Sequence, residues 1–205
     1  SQMSTQNLIR WGGLSALFGG IIGIASEVAL FITTGNLSFS DTAISSAWLV
    51  FVAFAALSTI LSMLGLVALF SRQFQSDGKF GAAAFILAFI GTMMVFGHQW
   101  TGLFVVPVLA EGTPDFLDAI IADTTTILAG GVFLSVFLMA VGWVLFGFAS
   151  LRVKILPQGS IWLVTIGAFL VLILSFMNFD LDKVVFYLGL AWMGWWLWSE
   201  KVQKT

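Results

Sequence analysis

The chain holds a single imidazole, His98, followed at once by Gln99 and Trp100 inside an otherwise apolar run. A second ionisable group, Glu27, stands near the end of another apolar run. An isolated charge in hydrocarbon costs at least ~2.5–3.5 kcal/mol, so each of these residues needs a partner or a purpose. Burial alone pushes a carboxylic acid and an imidazole toward their neutral forms, whereas pairing opposes both shifts. An acid and an imidazole in contact could hold a polar ligand, relay a proton or act as general acid and base. They could equally satisfy each other and fix helix register.

Their depths agree. At 1.5 Å per residue, Glu27 lies about 25 Å along a helix from Arg10, and His98 about 28 Å from Lys79. The spacing therefore predicts that Glu27 and His98 face each other across a contact between the first and third spans. Gln99 and Trp100 add donors at the same depth, and Thr101, three residues after His98, shares its face. Glu27, His98, Gln99, Trp100 and Thr101 are the expected ligand-binding residues, with Asn178 and Asp180 closing over the same region from outside. No catalytic residue is singled out. His98, Glu27 and a carboxylate such as Asp115 have workable metal-ligand types, but no HExxH-like spacing supports a metal. One imidazole per chain excludes bis-histidine haem within the chain, and no GxSG-like motif points to a serine nucleophile. Ser58, Ser62, Ser135 and Ser175 are expected to bond to their own helix backbones. The sequence identifies no cofactor.

The elements that must position these residues follow from composition. Of 205 residues, 60% are hydrophobic and 9% are charged. A soluble domain carries about 25% charged residues, so lipid must be the solvent here. The absence of cysteine excludes disulfides, thiolate metal sites and cysteine nucleophiles. The apolar runs are continuous rather than alternating, which selects helices over strands. An all-α, six-helix membrane bundle is expected, with spans at Leu8–Thr33, Ala47–Phe70, Phe80–Leu109, Thr125–Leu151, Ile161–Phe176 and Val184–Trp198. Residues 1–7 form an N-terminal tail, in which Ser1-Gln2 ahead of Met3 reads as a tag remnant. Residues 8–198 form one transmembrane domain and 199–205 a tail. The first run is too long, and lacks a small-residue cleavage site, for a signal peptide.

The basic residues set the topology. Arg10, Arg72, Lys79, Arg152, Lys154, Lys201 and Lys204 all fall on one side of this arrangement, and only Lys183 falls on the other. The positive-inside rule then places both termini in the cytoplasm. Lys183 stands beside Asp182 and near Asp180, where a local surface salt bridge would account for it. Arg152 and Lys154 suit lipid phosphates. Trp11, Trp162, Trp195, Trp196 and Trp198 gather at the inner boundary, as an anchoring belt would.

The stretch EGTPDFLDAIIADTTT, Glu111–Thr126, reads as a short amphipathic helix over about 113–123 on the outer surface. Thr113 is expected to cap it, with Pro114 at its first position. Phe116, Leu117, Ile120 and Ile121 would form its apolar face. Pro107 must bend or break the third span, because it clashes with the carbonyl of Leu103. In the first span Ser15, Gly19, Gly23 and Glu27 recur every four residues, a small-residue stripe that lets another helix approach closely. Comparison of ALFGGIIGIA with ILAGGVFLSV gives no internal repeat.

Three stretches carry a resemblance: IRWGGLSALFGG (Ile9–Gly20), GTMMVFGHQWTGLFVVPVLAEGTPDFLD (Gly91–Asp118) and FGFASLRVKILPQGSIWLVTIGAFL (Phe146–Leu170). In them the patterns G-L-x-A-L-x-G-G, F-V-x-P-x-L-A and L-R-x-x-x-L-P-x-x-x-x-W-L resemble uncharacterised multi-pass membrane proteins of bacteria. The resemblance implies a multi-pass protein of the bacterial cytoplasmic (inner) membrane and no particular activity. More weakly, Ser15 and Gly19 are similar to the small-residue docking face of the substrate-binding subunits of energy-coupling vitamin transporters. The expected function is binding or passage of a small ligand through an outward-facing polar pocket. A non-catalytic accessory subunit of a larger membrane complex and a membrane enzyme using Glu27 and His98 as acid and base are the alternatives. The expected partners are the lipid bilayer, a small molecule and a membrane protein, with no nucleic acid.

Overall fold

A computed structural model of the chain describes residues 5–33, 38–174 and 183–199. Among these residues the structure is all-helical. The elements are α1 (Thr5–Thr33), α2 (Phe39–Ala43), α3 (Ser46–Phe104), α4 (Val106–Gly112), α5 (Pro114–Ala122), α6 (Ile127–Val153), α7 (Gln158–Leu174) and α8 (Val184–Ser199). Four segments are long and apolar enough to cross a membrane: Gln6–Phe31, Ser46–Gln73, Gly78–Gly112 and Ile127–Val153. The helices α7 and α8 are apolar but shorter.

α3 is two arms joined at Gly78, whose backbone sits at φ 62°, ψ −159°. That region is essentially closed to residues with a Cβ, so glycine permits the chain to reverse without an extended loop. Phe70 and Phe85 stack across the two arms with ring centroids 4.2 Å apart. The second arm ends as Pro107 requires. Val105 breaks the helix, and α4 restarts with Pro107 as its second residue.

Helix neighbours form a ring. α1 packs on α3 and α8, α7 packs on α6 and α8, and α6 returns to α3. Small residues bring the backbones together. Gly12 and Gly65 of the α1–α3 contact are filled by Ala68 and Ala16, and Gly91 and Gly142 of the α3–α6 contact lie against the facing backbone at Met139 and Ala88. Gly194 of α8 meets α1 at Gly13 and Leu17. Trp143, Phe146, Leu66, Ile161, Leu190, Met193 and Leu197 are fully buried within this ring. Large apolar side chains such as Phe18, Ile21, Phe54, Leu64, Ile86, Phe137, Phe169 and Leu188 point outward from it. An outer surface of that kind is at home in lipid rather than water.

At the end of the bundle that carries Arg10 the tryptophans divide. Trp11, Trp162 and Trp195 are exposed, as interfacial anchors are, whereas Trp198 lies under the Arg10 guanidinium at 4.9 Å. The opposite end carries a small cap in which Ala43, Ala110 and Leu117 are buried against Phe39, Trp48 and Val106. Asp118 ties the cap together by accepting from both Ser40 N and Ser40 Oγ at 2.8 Å. The helix expected at 113–123 is thus present as α5, over Pro114–Ala122, with one correction. Thr113 makes no side-chain cap and donates instead to Leu109 O at 3.2 Å. Of the four residues assigned to the apolar face, Leu117 is buried, while Phe116 and Ile121 are exposed. Beyond α5, Thr125 N and Oγ1 donate to Asp123, which holds that carboxyl below its ordinary value. Thr126 then caps α6 by accepting from Ala129 N.

Candidate functional site

The stripe on α1 leads to the site. Gly19 lies against Ser62 of α3, and one turn on Gly23 lies under the ring of Tyr187 in α8. One further turn brings Glu27 level with Lys183, which stands four residues before Tyr187 and accepts from its N–H. α1 and α8 therefore meet in matched register, Gly23 with Tyr187 and Glu27 with Lys183. The Lys183 ammonium is 3.2 Å from Glu27 Oε1 and 3.4 Å from Oε2. Glu27 is 3% exposed, whereas the Lys183 side chain is 30% exposed. The carboxylate is thus buried and its cation stands at the edge of the bundle.

Below Lys183 a cavity of about 30 Å³ opens between the helices, room for about two water molecules. Thr59 and Ser62 line it from the first arm of α3, and Thr92, Val95 and Gln99 from the second. Met139 and Trp143 of α6, then Lys183, Phe186 and Tyr187, complete the wall. The threonine and serine hydroxyls of the lining bond to their own helices. Thr59 donates to Ala55 O, Ser62 to Ser58 O and Thr92 to Ala88 O. Thr92 in turn accepts from Trp143 Nε1 at 3.0 Å. Gln99 Oε1 is buried without a hydrogen-bond partner. A buried acceptor left unmatched costs about 1–3 kcal/mol, so this oxygen is a standing request for a donor.

The structure corrects the expected pair. Glu27 and His98 do not meet; each has found a different partner. His98 Nε2 lies 2.6 Å from Ser135 Oγ of α6, and Ser135 Oγ lies 2.7 Å from Val132 O. The serine hydroxyl thus stands between the Val132 carbonyl and the imidazole, and which of the two it donates to follows the tautomer of His98. His98 thereby joins α3 to α6 on one side of the bundle, while Glu27 joins α1 to α8.

Of the remaining candidates, Gln99 lines the cavity. Trp100 does not; it is 55% exposed and packs along its own helix on Phe104, with centroids 4.5 Å apart. Thr101 is exposed and donates to Gly97 O within the same helix. Asn178 and Asp180, expected to close over the region, lie outside the described residues, as do Asp182 and Ser175. Ser62 and Ser135 bond to their own helices as expected. Ser58 differs, since it donates across the bundle to Gly19 O at 2.7 Å. Among the described residues, no group of three metal-ligating side chains comes together.

Lys183 is the residue that sequence reasoning assigned to the surface. Its signal was visible all the same, because it alone broke the sorting of basic residues to one side. The hydroxyls of Thr59, Ser62 and Thr92 gave no such signal, since threonine and serine are ordinary in membrane helices. Comparison of the chain with protein-family models, with curated proteins and with solved structures finds no match.

Proposed function

We propose that the chain is a six-span protein of the bacterial cytoplasmic membrane, with both termini in the cytoplasm. The two shorter apolar helices, α7 and α8, complete the six spans. In this reading the cavity beside Lys183 binds a small ligand, or lets it pass, from the outer face. The observation that carries the proposal is the join between a buried ion pair and a cavity with an unmatched acceptor. Intramembrane ionisable groups default to functional sites. A purely structural ion pair would not need a polar cavity next to it, and apolar side chains would fill that space at less cost. Sorting of charge supports the orientation: Arg10, Lys79 and Arg152 stand at the end of the bundle opposite the Glu27–Lys183 pair.

The separation of Glu27 from His98 weighs against an acid–base enzyme built on those two residues. Native mass spectrometry of the purified protein tests the ligand reading. A small molecule that co-purifies with the wild type and is lost from Gln99→Leu is the expected result. A wild type free of small molecules, with no solute that binds on addition, overturns it.

A further inference from the structure

We infer that the end of α6 and the neighbouring start of the second arm of α3 form a site for the head group of an anionic phospholipid, with Lys79, Arg152 and Lys154 around its phosphate. The site stands at the end of the bundle opposite the Glu27–Lys183 pair and does not depend on the cavity there.

The two elements meet at one contact. The Arg152 guanidinium lies over the Phe80 ring, 4.8 Å from its centroid. Lys79 precedes that ring in the chain, and Lys154 stands just beyond Arg152. All three cations are exposed. Among the described residues none of them has a carboxylate partner. Positive charges gathered at a membrane boundary, with no anion of the protein's own, draw one from the lipid. The ring fixes the plane of the guanidinium. Its N–H edge is then left to hold a phosphate through paired hydrogen bonds.

Lys154 adds a second observation. It ends α6 in left-handed backbone, at φ 58° and ψ 26°, and no other non-glycine residue has positive φ among the described residues. Glycine holds such a helix end with less strain. The lysine therefore brings its charge at a conformational cost, to a helix end that Arg152 already complements. Apolar surface continues from the cations. One turn in from Arg152 on the same face of α6 stands Phe148, and one turn in from Phe80 on α3 stands Ala83. Both are exposed. A head-group site that runs on into apolar surface suits a lipid, whose acyl chains need it, and offers a free phosphate nothing more.

The test is native mass spectrometry of the full chain in detergent, titrated with phosphatidylglycerol or with phosphatidylcholine. The first phosphatidylglycerol is expected to bind at least about tenfold tighter than phosphatidylcholine, given about fivefold for each cation engaged. Lys154→Gly should weaken phosphatidylglycerol about fivefold on the same ground. Its unfolding midpoint should hold or rise, because glycine suits that backbone, so loss of binding is not loss of fold. Arg152→Lys keeps the charge but loses the planar fork and its seat on the ring, and several-fold weaker binding is expected. The inference is overturned if the first lipid shows no preference or if folded Lys154→Gly binds unchanged. It is also overturned if Arg152→Lys binds as the wild type does, since attraction between charges would then suffice without a site. Displacement of the lipid by excess glycerol phosphate overturns the lipid as occupant in favour of a soluble phosphate.

Discussion

Glu27 and Lys183, 156 positions apart in the chain, form an ion pair at 3.2 Å between α1 and the start of α8. The pair lies at one end of the line along which α8 packs on α1, one turn beyond the contact of Gly23 with Tyr187. It also explains why Lys183 stands apart from the other basic residues. Each group has what the other needs to leave water.

Removing the cation alone should therefore be costly. Lys183→Met leaves a buried carboxylate, which destabilises by about 3–5 kcal/mol when the pair is fully buried. Because Lys183 is partly exposed, the lower end of that range is expected. The double variant Glu27→Gln/Lys183→Met should recover most of the loss. Thermal unfolding in detergent reads both, and a double variant no more stable than Lys183→Met would contradict the ion pair.

His98 should behave independently of Glu27. His98→Ala removes the bond to Ser135 and is expected to cost about 1 kcal/mol. Groups that share no partner add within about 0.3–0.5 kcal/mol. A double-mutant cycle of His98→Ala with Glu27→Gln is accordingly expected to be additive. A coupling well above that margin would restore the direct pair that the tertiary structure separates.

The glycines divide by surroundings. Gly142 faces the backbone of Ala88, whereas Gly130, in the same helix, has open space around its Cα. Gly142→Ala should force α3 and α6 apart at about 1–3 kcal/mol, the usual cost of overpacking. Gly130→Ala should stabilise by up to about 1 kcal/mol through helix propensity. Unfolding midpoints of the two variants should move in opposite directions, and equal shifts would deny the close approach.

The chain has no cysteine, which makes topology directly testable. Single cysteines at Asp115 and Val184 should react with a membrane-impermeant maleimide in intact cells. Cysteines at Lys79 and Lys154 should react only after permeabilisation. Labelling of Val184→Cys from the inside alone would remove α7 and α8 from the set of spans.

The sequence by itself determined that the chain is helical and apolar, where its long helices run, and that proline interrupts one of them. These are local matters: hydrocarbon leaves no option but internal hydrogen bonds, and Pro107 cannot continue a helix. The reversal at Gly78 was found only in the structure. Depth was legible too, since helix rise converts residue number into position, and it placed Glu27 and His98 at similar levels. Which residue each would meet was a different matter. Depth gives height in the bundle but not bearing around it, and the bearing depends on how α1, α3, α6 and α8 rotate when their glycines pack. Only the tertiary structure decided that Glu27 turns to Lys183 and His98 to Ser135. Only it gathered Thr59, Ser62, Thr92 and Gln99, from two arms of one helix, around a shared space.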